Sequence, residues 1–314
     1  MALLKNVDEH QLVKNIKNII RPSGILGTDD DAAIIETNDI VVCSDIVTFE
    51  RHMPETMTYE KFGWTAAAVN FSDLAAMGAE PIGLITSLAL PPDIDESCLY
   101  DIVSGIDQCA ELCNAFIIGG DTKPGTGVIS CTALGKMGNR KPMMRNGAKI
   151  GDVVAVTGSL GSPAAGFYAI KNKIEAKDAV FSLMTPIPRV KEGISLSETG
   201  KVTSCIDLSD GLATAASIVC EQSHVGMDII WEFLPEGNDV DIVSRHSDVS
   251  KEDLMLKWGG EYELMFTFSK KDIEVLQNCD VNFSVIGYVT GGKDISILKD
   301  GSVLERYKSG KYWR

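Results

Sequence analysis

The stretch "TYEKFGWTAAAVNFSDLAAM", residues 58–77, reads as one long Ala-rich helix, closed by Gly78 and followed by Pro81. Glycine ends helices because it tolerates the left-handed backbone of a C-cap, and proline cannot continue them. Phe62, Ala66, Val69, Asp73 and Met77 follow one another at steps of 4, 3, 4 and 4, so one stripe carries four apolar side chains and a carboxylate. A carboxylate on a covered stripe needs a partner. The other alanines blur which face is covered, so a wet edge stays the lesser alternative for Asp73.

Working outward, "RPSGILGTDDDAAII" (21–35) breaks into a loop and then a strand, after an N-terminal stretch of helical spacing to about residue 20. "DIVVCSD" (39–45) and "IGLITSLALPP" (82–92) read as strands, residues 95–114 as a second helix, and "AFIIGGD" (115–121) and "GVISCTALGKM" (127–137) as strands again. "GNRKPMMRNGAKIGD" (138–152), rich in glycine and basic residues, divides residues 1–138 from 139–314. Beyond it come a strand in "VVAVTG", a turn and helix start in "GSLGSPAAG" (158–166), strand then helix in "VTSCIDLSDGLATAASIVCEQ" (202–222), and a strand in "GGEYELMFTF" (259–268). The alternation predicts two α/β or α+β domains, which suits 314 residues, since single cores stop growing at about 250–300.

A formal charge of -15 and an isoelectric point near 4.7 repel polyphosphate backbones and anionic lipid, so nucleic acid and membrane surfaces are excluded as partners. An anionic ligand would need cations between it and the chain. The opening residues "MALLKNVDEHQLVKNI" lack the apolar core of a signal peptide, which points to the cytoplasm. The eight cysteines, at 43, 98, 109, 113, 131, 205, 220 and 279, include no C-x-x-C pair, as expected of reduced thiols rather than a zinc site.

Aspartates recur beside apolar strands: Asp45 after "IVVCS", Asp121 after "FIIGG", Asp207 and Asp210 after "TSCI", with Asp29, Asp30 and Asp31 before the first strand. Strand ends are where α/β proteins bind ligands. Each also has a plainer reading: a turn for Asp121, a cap for the helix near Gly211 for Asp207, Ser209 or Asp210, a solvated loop for 29–31. Taken together, oxygen donors without His or Cys suit a hard cation, Mg2+ above Zn2+. Neither G-x-x-x-x-G-K-S/T nor G-x-G-x-x-G is present, so neither common phosphate-binding loop applies.

"VNFSDLAAMGAEP", "IIGGDT", "MMRNGAKIGDVVAVTG", "IDLSDGL" and "GGEYELMFT" occur in this order over nearly the whole chain, and together they resemble the thiamine-monophosphate kinase family of the aminoimidazole ribonucleotide synthetase-like ATP-binding superfamily. The resemblance implies an N-terminal sheet-and-helix domain that pairs into a barrel in a homodimer, a C-terminal α/β domain closing the cleft, and ATP with several Mg2+ ions between them. The implied reaction phosphorylates thiamine monophosphate. Matched motif to motif, Asp30, Asp31, Ser44, Asp45, Asp73, Asp121 and Asp210 would hold metal, with Asp73, Asp121 and Asp210 catalytic through metal-assisted positioning. Gly120, Asp121, Arg145, Ser209 and Asp210 would bind ATP, and His52, Glu261 and Trp313 the acceptor.

Three departures from the family pattern stand out. A third acid, Asp29, replaces the glycine of G-D-D; Pro124 stands beside Lys123 where an arginine is usual; and "GGEYEL" is one residue shorter than G-G-E-D-Y-E-L, leaving Glu261 or Glu263 for the glutamate's role. In the end "KYWR", Tyr312 or Trp313 would either stack on a substrate ring or pack on the core. The alternatives are another ATP-dependent enzyme of the superfamily and a silent nucleotide-binding homologue. The hydrogenase maturation factor is disfavoured by the absence of a C-terminal cysteine, and selenophosphate synthetase by the absence of an early reactive one.

Overall fold

The computed structural model describes residues 30–35 and 39–309. The expected N-terminal helix, Asp29, Tyr312 and Trp313 lie outside them.

The first half of the chain forms β1 (Ala33–Ile35), β2 (Ile40–Thr48), a single helical turn α1 (Phe49–His52), α2 (Tyr59–Met77), β3 (Glu80–Leu90), α3 (Glu96–Leu112), β4 (Phe116–Pro124) and β5 (Val128–Lys136). Its five strands are ordered β1-β2-β5-β3-β4, antiparallel except for β3 beside β4. The second half supplies β6 (Asp152–Thr157), α4 (Ser162–Asn172), α5 (Lys177–Met184), α6 (Val190–Thr199), β7 (Val202–Asp207), α7 (Leu212–Ser223), β8 (Gly226–Ile230), α8 (Val240–His246), α9 (Lys251–Leu256), β9 (Leu264–Ser269), α10 (Ile273–Gln277), β10 (Phe283–Thr290), β11 (Asp294–Lys299) and β12 (Ser302–Lys308). Its seven strands run β12-β11-β8-β10-β6-β9-β7. The mixed α/β class expected from the sequence is the class observed.

Helix α2 is the element on which both halves meet. Thr58 caps its start by accepting from Lys61 N, and Gly78 ends it in the left-handed region at φ 73, with Ala79 N donating back to Leu74 O. Phe62, Phe71, Leu74 and Met77 are fully buried in a core that also holds Phe266 and Phe268 of β9. The helix therefore lies between the first sheet and the edge of the second, buried almost all round. The single stripe expected from sequence is only part of this: Val69 and Asp73, both placed on it, are half-buried. Helix α3 approaches α2 so closely that a Cβ on Gly105 would lie 1.8 Å from Glu60 O and one on Gly63 2.0 Å from Ile102 O.

Two strand ends were misjudged from sequence. Strand β2 continues through Asp45 to Thr48, and β4 through Asp121 to Pro124, where G-G-D reads as a turn. The glycine serves pairing instead: at Gly120 a Cβ would meet Thr86 O at 2.1 Å, so its absence lets β4 close onto β3. Conversely "GGEYEL" is irregular chain, and β9 begins only at Leu264.

Candidate active site

Alternation along β2 decides which acids face α2. Cys43 and Val47 are buried on the α2 side, so Asp45 between them points the same way, while Ser44 and Ile46 point to the open face. Asn70 of α2, fully buried, accepts from Asp45 N at 3.1 Å and donates to Ala66 O, fixing strand to helix. Asp73, one turn further on, shares a hydrogen bond with Asp45.

Against this pair come two carboxylates from elsewhere. Asp31 is buried in front of β1, and Asp207 is the buried last residue of β7. Asp31, Asp73 and Asp207 each place a carboxylate oxygen within 4.8 Å of the others. Ser72 donates to Asp207 Oδ2 at 2.7 Å. Arg145, in the segment joining the halves, donates from Nη2 to Asp31 Oδ1 at 2.6 Å and from its backbone N to Asp30.

The electrostatics are those of acids short of cations. Burial, then the charges of Asp45, Asp207 and Asp31, push the Asp73 carboxyl well above the usual range. Burial, then Asp31, does the same to Asp207, with Ser72 and Arg145 opposing. Burial works against the Arg145 charge, but Asp31 and then Asp73 and Asp207 hold its ionisation above the ordinary value. Asp31 Oδ2 is buried with no hydrogen-bond partner among the described residues. An orphaned carboxylate oxygen beside two further carboxylates fits a hard divalent cation, which would supply the missing contact and relieve the repulsion.

The other site residues expected from sequence are placed less centrally. Asp210 and Ser209 follow Asp207 in the loop before α7, half-buried and exposed respectively. Ser44 donates to Cys131 O at 3.0 Å on the open face. Gly120 and Asp121 lie exposed on edge strand β4; Asp121 pairs with Lys123 at 3.2 Å, which together with the Thr122 N–H lowers the pKa of its carboxyl. His52 accepts from Thr48 N at 3.1 Å, at the end of α1. Glu261 accepts from Gly161 N at 3.1 Å, while its Oε2 is buried without a partner among the described residues. Burial, partly offset by the Gly161 N–H, raises its carboxyl to about 7. Glu263 is committed elsewhere, to Arg189 at 2.5 and 2.6 Å and to Thr157 Oγ1 at 2.7 Å. Of the two glutamates left open by the sequence, Glu261 keeps an unused oxygen.

Asp207 was named among the strand-end acids but not carried into the site, and Ser72 and Asn70 were not singled out. The signal for Asp207 was its place as the last residue of an apolar strand, three before Asp210. All eight cysteines are free, and six are buried. No helix of the described residues is long and apolar enough to cross a membrane.

Two family models match the chain in tandem, AIR synthase related protein, N-terminal domain, over residues 29–137 and AIR synthase related protein, C-terminal domain, over 149–300. Fold and acid cluster thus define the class as AIR synthase related proteins. Within it, the thiamine-monophosphate kinase of Pyrococcus abyssi is 34% identical over 88% of this chain and 87% of that protein, and the one from Escherichia coli 32% over 93% and 94%. A solved structure of AaThiL complexed with AMPPCP and TMP matches at TM-score 0.86, 25% identity and 98% of each chain. Hydrogenase maturation protein HypE, at TM-score 0.72 and 18% identity over 92% of this chain and 96% of that one, shares the fold alone. The chain belongs to the thiamine-monophosphate kinase family.

Proposed function

We propose that the chain transfers the γ-phosphoryl group of ATP to the phosphate of thiamine monophosphate, giving thiamine diphosphate and ADP. The observation that carries this reading is the convergence of Asp31, Asp73 and Asp207 where the two sheets meet, with Asp31 Oδ2 unpaired, in a chain of this family. Its nucleotide is ATP, the counterpart of the AMPPCP in the AaThiL complex, and its acceptor the TMP found there.

The acceptor oxygen is already anionic, so the step needs no strong general base and no covalent enzyme intermediate. One bond forms from that oxygen to the γ-phosphorus as the bond to the bridging oxygen breaks, and ADP leaves with the electron pair. Repulsion between two phosphorylated substrates is the obstacle. Asp30, Asp31, Asp45, Asp73, Asp207 and Asp210 would hold Mg2+, which when bound supplies positive charge against the phosphoryl oxygens. Asp121, Gly120 and Ser44 are assigned to the same nucleotide site, a role in which the Asp121–Lys123 pair must open. Arg145 fixes Asp30 and Asp31 and keeps a buried Nε–H without a partner among the described residues, a donor suited to a phosphate oxygen. Ser209 lies beside Asp210 on the nucleotide side; His52, Glu261 and Trp313 belong to the acceptor side.

In this reading residues 1–138 carry four of the metal acids and the dimer contact, and residues 139–314 close the cleft and add Asp207 and Asp210. The open face of the first sheet supports a homodimer: Ile46 is 59% and Ile85 43% exposed, and cross-strand register through Ser130 and Thr132 puts them on one face. Unpaired thiols agree with a cytoplasmic setting. The deciding experiment measures ADP release with ATP and Mg2+, with and without thiamine monophosphate, and identifies thiamine diphosphate by mass. Stoichiometric product supports the reading; Mg2+-dependent ATP binding without product removes it.

A further inference from the structure

The segment "GGEYEL" sends three consecutive side chains to three destinations. Glu261 reaches the start of α4 at Gly161, Glu263 reaches Arg189 and Thr157, and Tyr262 between them enters no hydrogen bond through its hydroxyl with the described residues. The backbone around Tyr262 is clamped onto the loop after β7. Tyr262 N donates to Leu208 O at 3.1 Å, Gly260 N to Ser209 O at 2.9 Å, and Leu208 N to Glu263 O at 2.8 Å. A Cβ on Gly259 would lie 2.3 Å from Ser209 O, so the two segments could not be closer.

Tyr262 pays for this placement with a left-handed backbone, φ 51, which a bulky residue adopts only when its surroundings dictate it. The ring is half-buried. Burial, then the charges of Asp207, Asp45, Asp210 and Asp73, push the pKa of the phenol above its ordinary value. The clamp sets Tyr262 beside the loop that carries Asp207 and Asp210, whose carboxylates a cation would occupy.

We infer that Tyr262 is a phosphate-contacting residue, whose O–H donates to an oxygen of the phosphoryl group in transfer at the carboxylate cluster. This rests on the kinase reading for the identity of the group. It would also give the shortened motif a function, since its backbone is paired with the loop that runs from Asp207 to Asp210.

The test is Tyr262→Phe, which removes one oxygen and leaves ring and backbone in place. In the kinase assay kcat is expected to fall roughly 10- to 100-fold, the range for losing one hydrogen bond to a charged group, with the KM for ATP nearly unchanged. Affinity for ADP with aluminium fluoride and Mg2+, measured calorimetrically, should fall by a similar factor, while affinity for ADP with Mg2+ alone and the melting temperature stay at wild-type values. Equal kcat and equal aluminium fluoride affinity would overturn the inference, as would a parallel loss of ADP affinity and melting temperature, which marks a structural role. The aluminium fluoride comparison needs no acceptor turnover, so failure of the wild type to make thiamine diphosphate would count against the kinase reading and leave Tyr262 to be decided by affinity.

Discussion

Ser72 Oγ stands 2.7 Å from Asp207 Oδ2, joining the central helix of one half to the last strand residue of the other. Both residues are buried, so the bond is made away from competing water. Replacing Ser72 by Ala should cost about 1–2 kcal/mol of stability, because a buried carboxylate loses a donor. Urea denaturation with and without Mg2+ checks this. The loss should shrink when Mg2+ is present, since a cation on Asp207 does part of the same work; an unchanged midpoint in both conditions would show that the contact is idle.

Asp73 and Asp121 separate two kinds of acid. Asp73→Asn removes one of three crowded carboxylates, so the Mg2+-free protein should melt higher than wild type, while the rise in melting temperature on adding Mg2+ disappears. Turnover should drop by about 100-fold or more, as a lost metal ligand acts mainly in the transition state. Asp121→Asn, on an exposed edge strand, should leave both melting measurements unaltered and still lower turnover. Wild-type turnover in Asp121→Asn would remove that residue from the site.

How far the site was legible follows from the range of each signal. Asp73 was visible because helical period is local, and Asp207 because an apolar strand ends on it. Asp45 and Ser44 were both assigned to metal, yet strand alternation, with Cys43 and Val47 as the apolar markers, already divides them between two faces. Burial of α2 almost all round was not readable from its stripe, because α6 and β7 pack on it from more than 110 residues away. Tyr262 and the Arg189–Glu263 pair depend on how the irregular "GGEYEL" segment lies against the loop after β7 and against α6, a tertiary fact with no short-range pattern.

The glycine contact between α2 and α3 offers a test of how tightly the site depends on packing. Gly105→Ala would put a Cβ 1.8 Å from Glu60 O, so α3 must move off the helix that carries Asp73. The better helix propensity of alanine offsets under about 1 kcal/mol of this. A net destabilisation of about 2 kcal/mol or more is expected, with a weaker thermal response to Mg2+. Thermal melts of the variant with and without Mg2+ measure both; a wild-type melt would mean the helices are not held this close.

Glu261 sets a pH dependence whose sign can be worked out. Burial raises its carboxyl from 4.5 to about 7 in the folded chain, so folding favours the protonated form. Its contribution is fully present below pH 4.5, declines as pH rises and is lost once the folded group ionises above about 7. With each unit worth about 1.36 kcal/mol, the span amounts to about 3 kcal/mol. Denaturant titrations in chelator between pH 5 and 8 should therefore show the difference in stability between wild type and Glu261→Gln shifting steadily toward the variant. Subtracting the variant removes the carboxylates that both proteins share, including Asp73 and Asp207. A constant difference across that range would mean that Glu261 stays ionised in the folded protein, with its Oε2 satisfied by solvent.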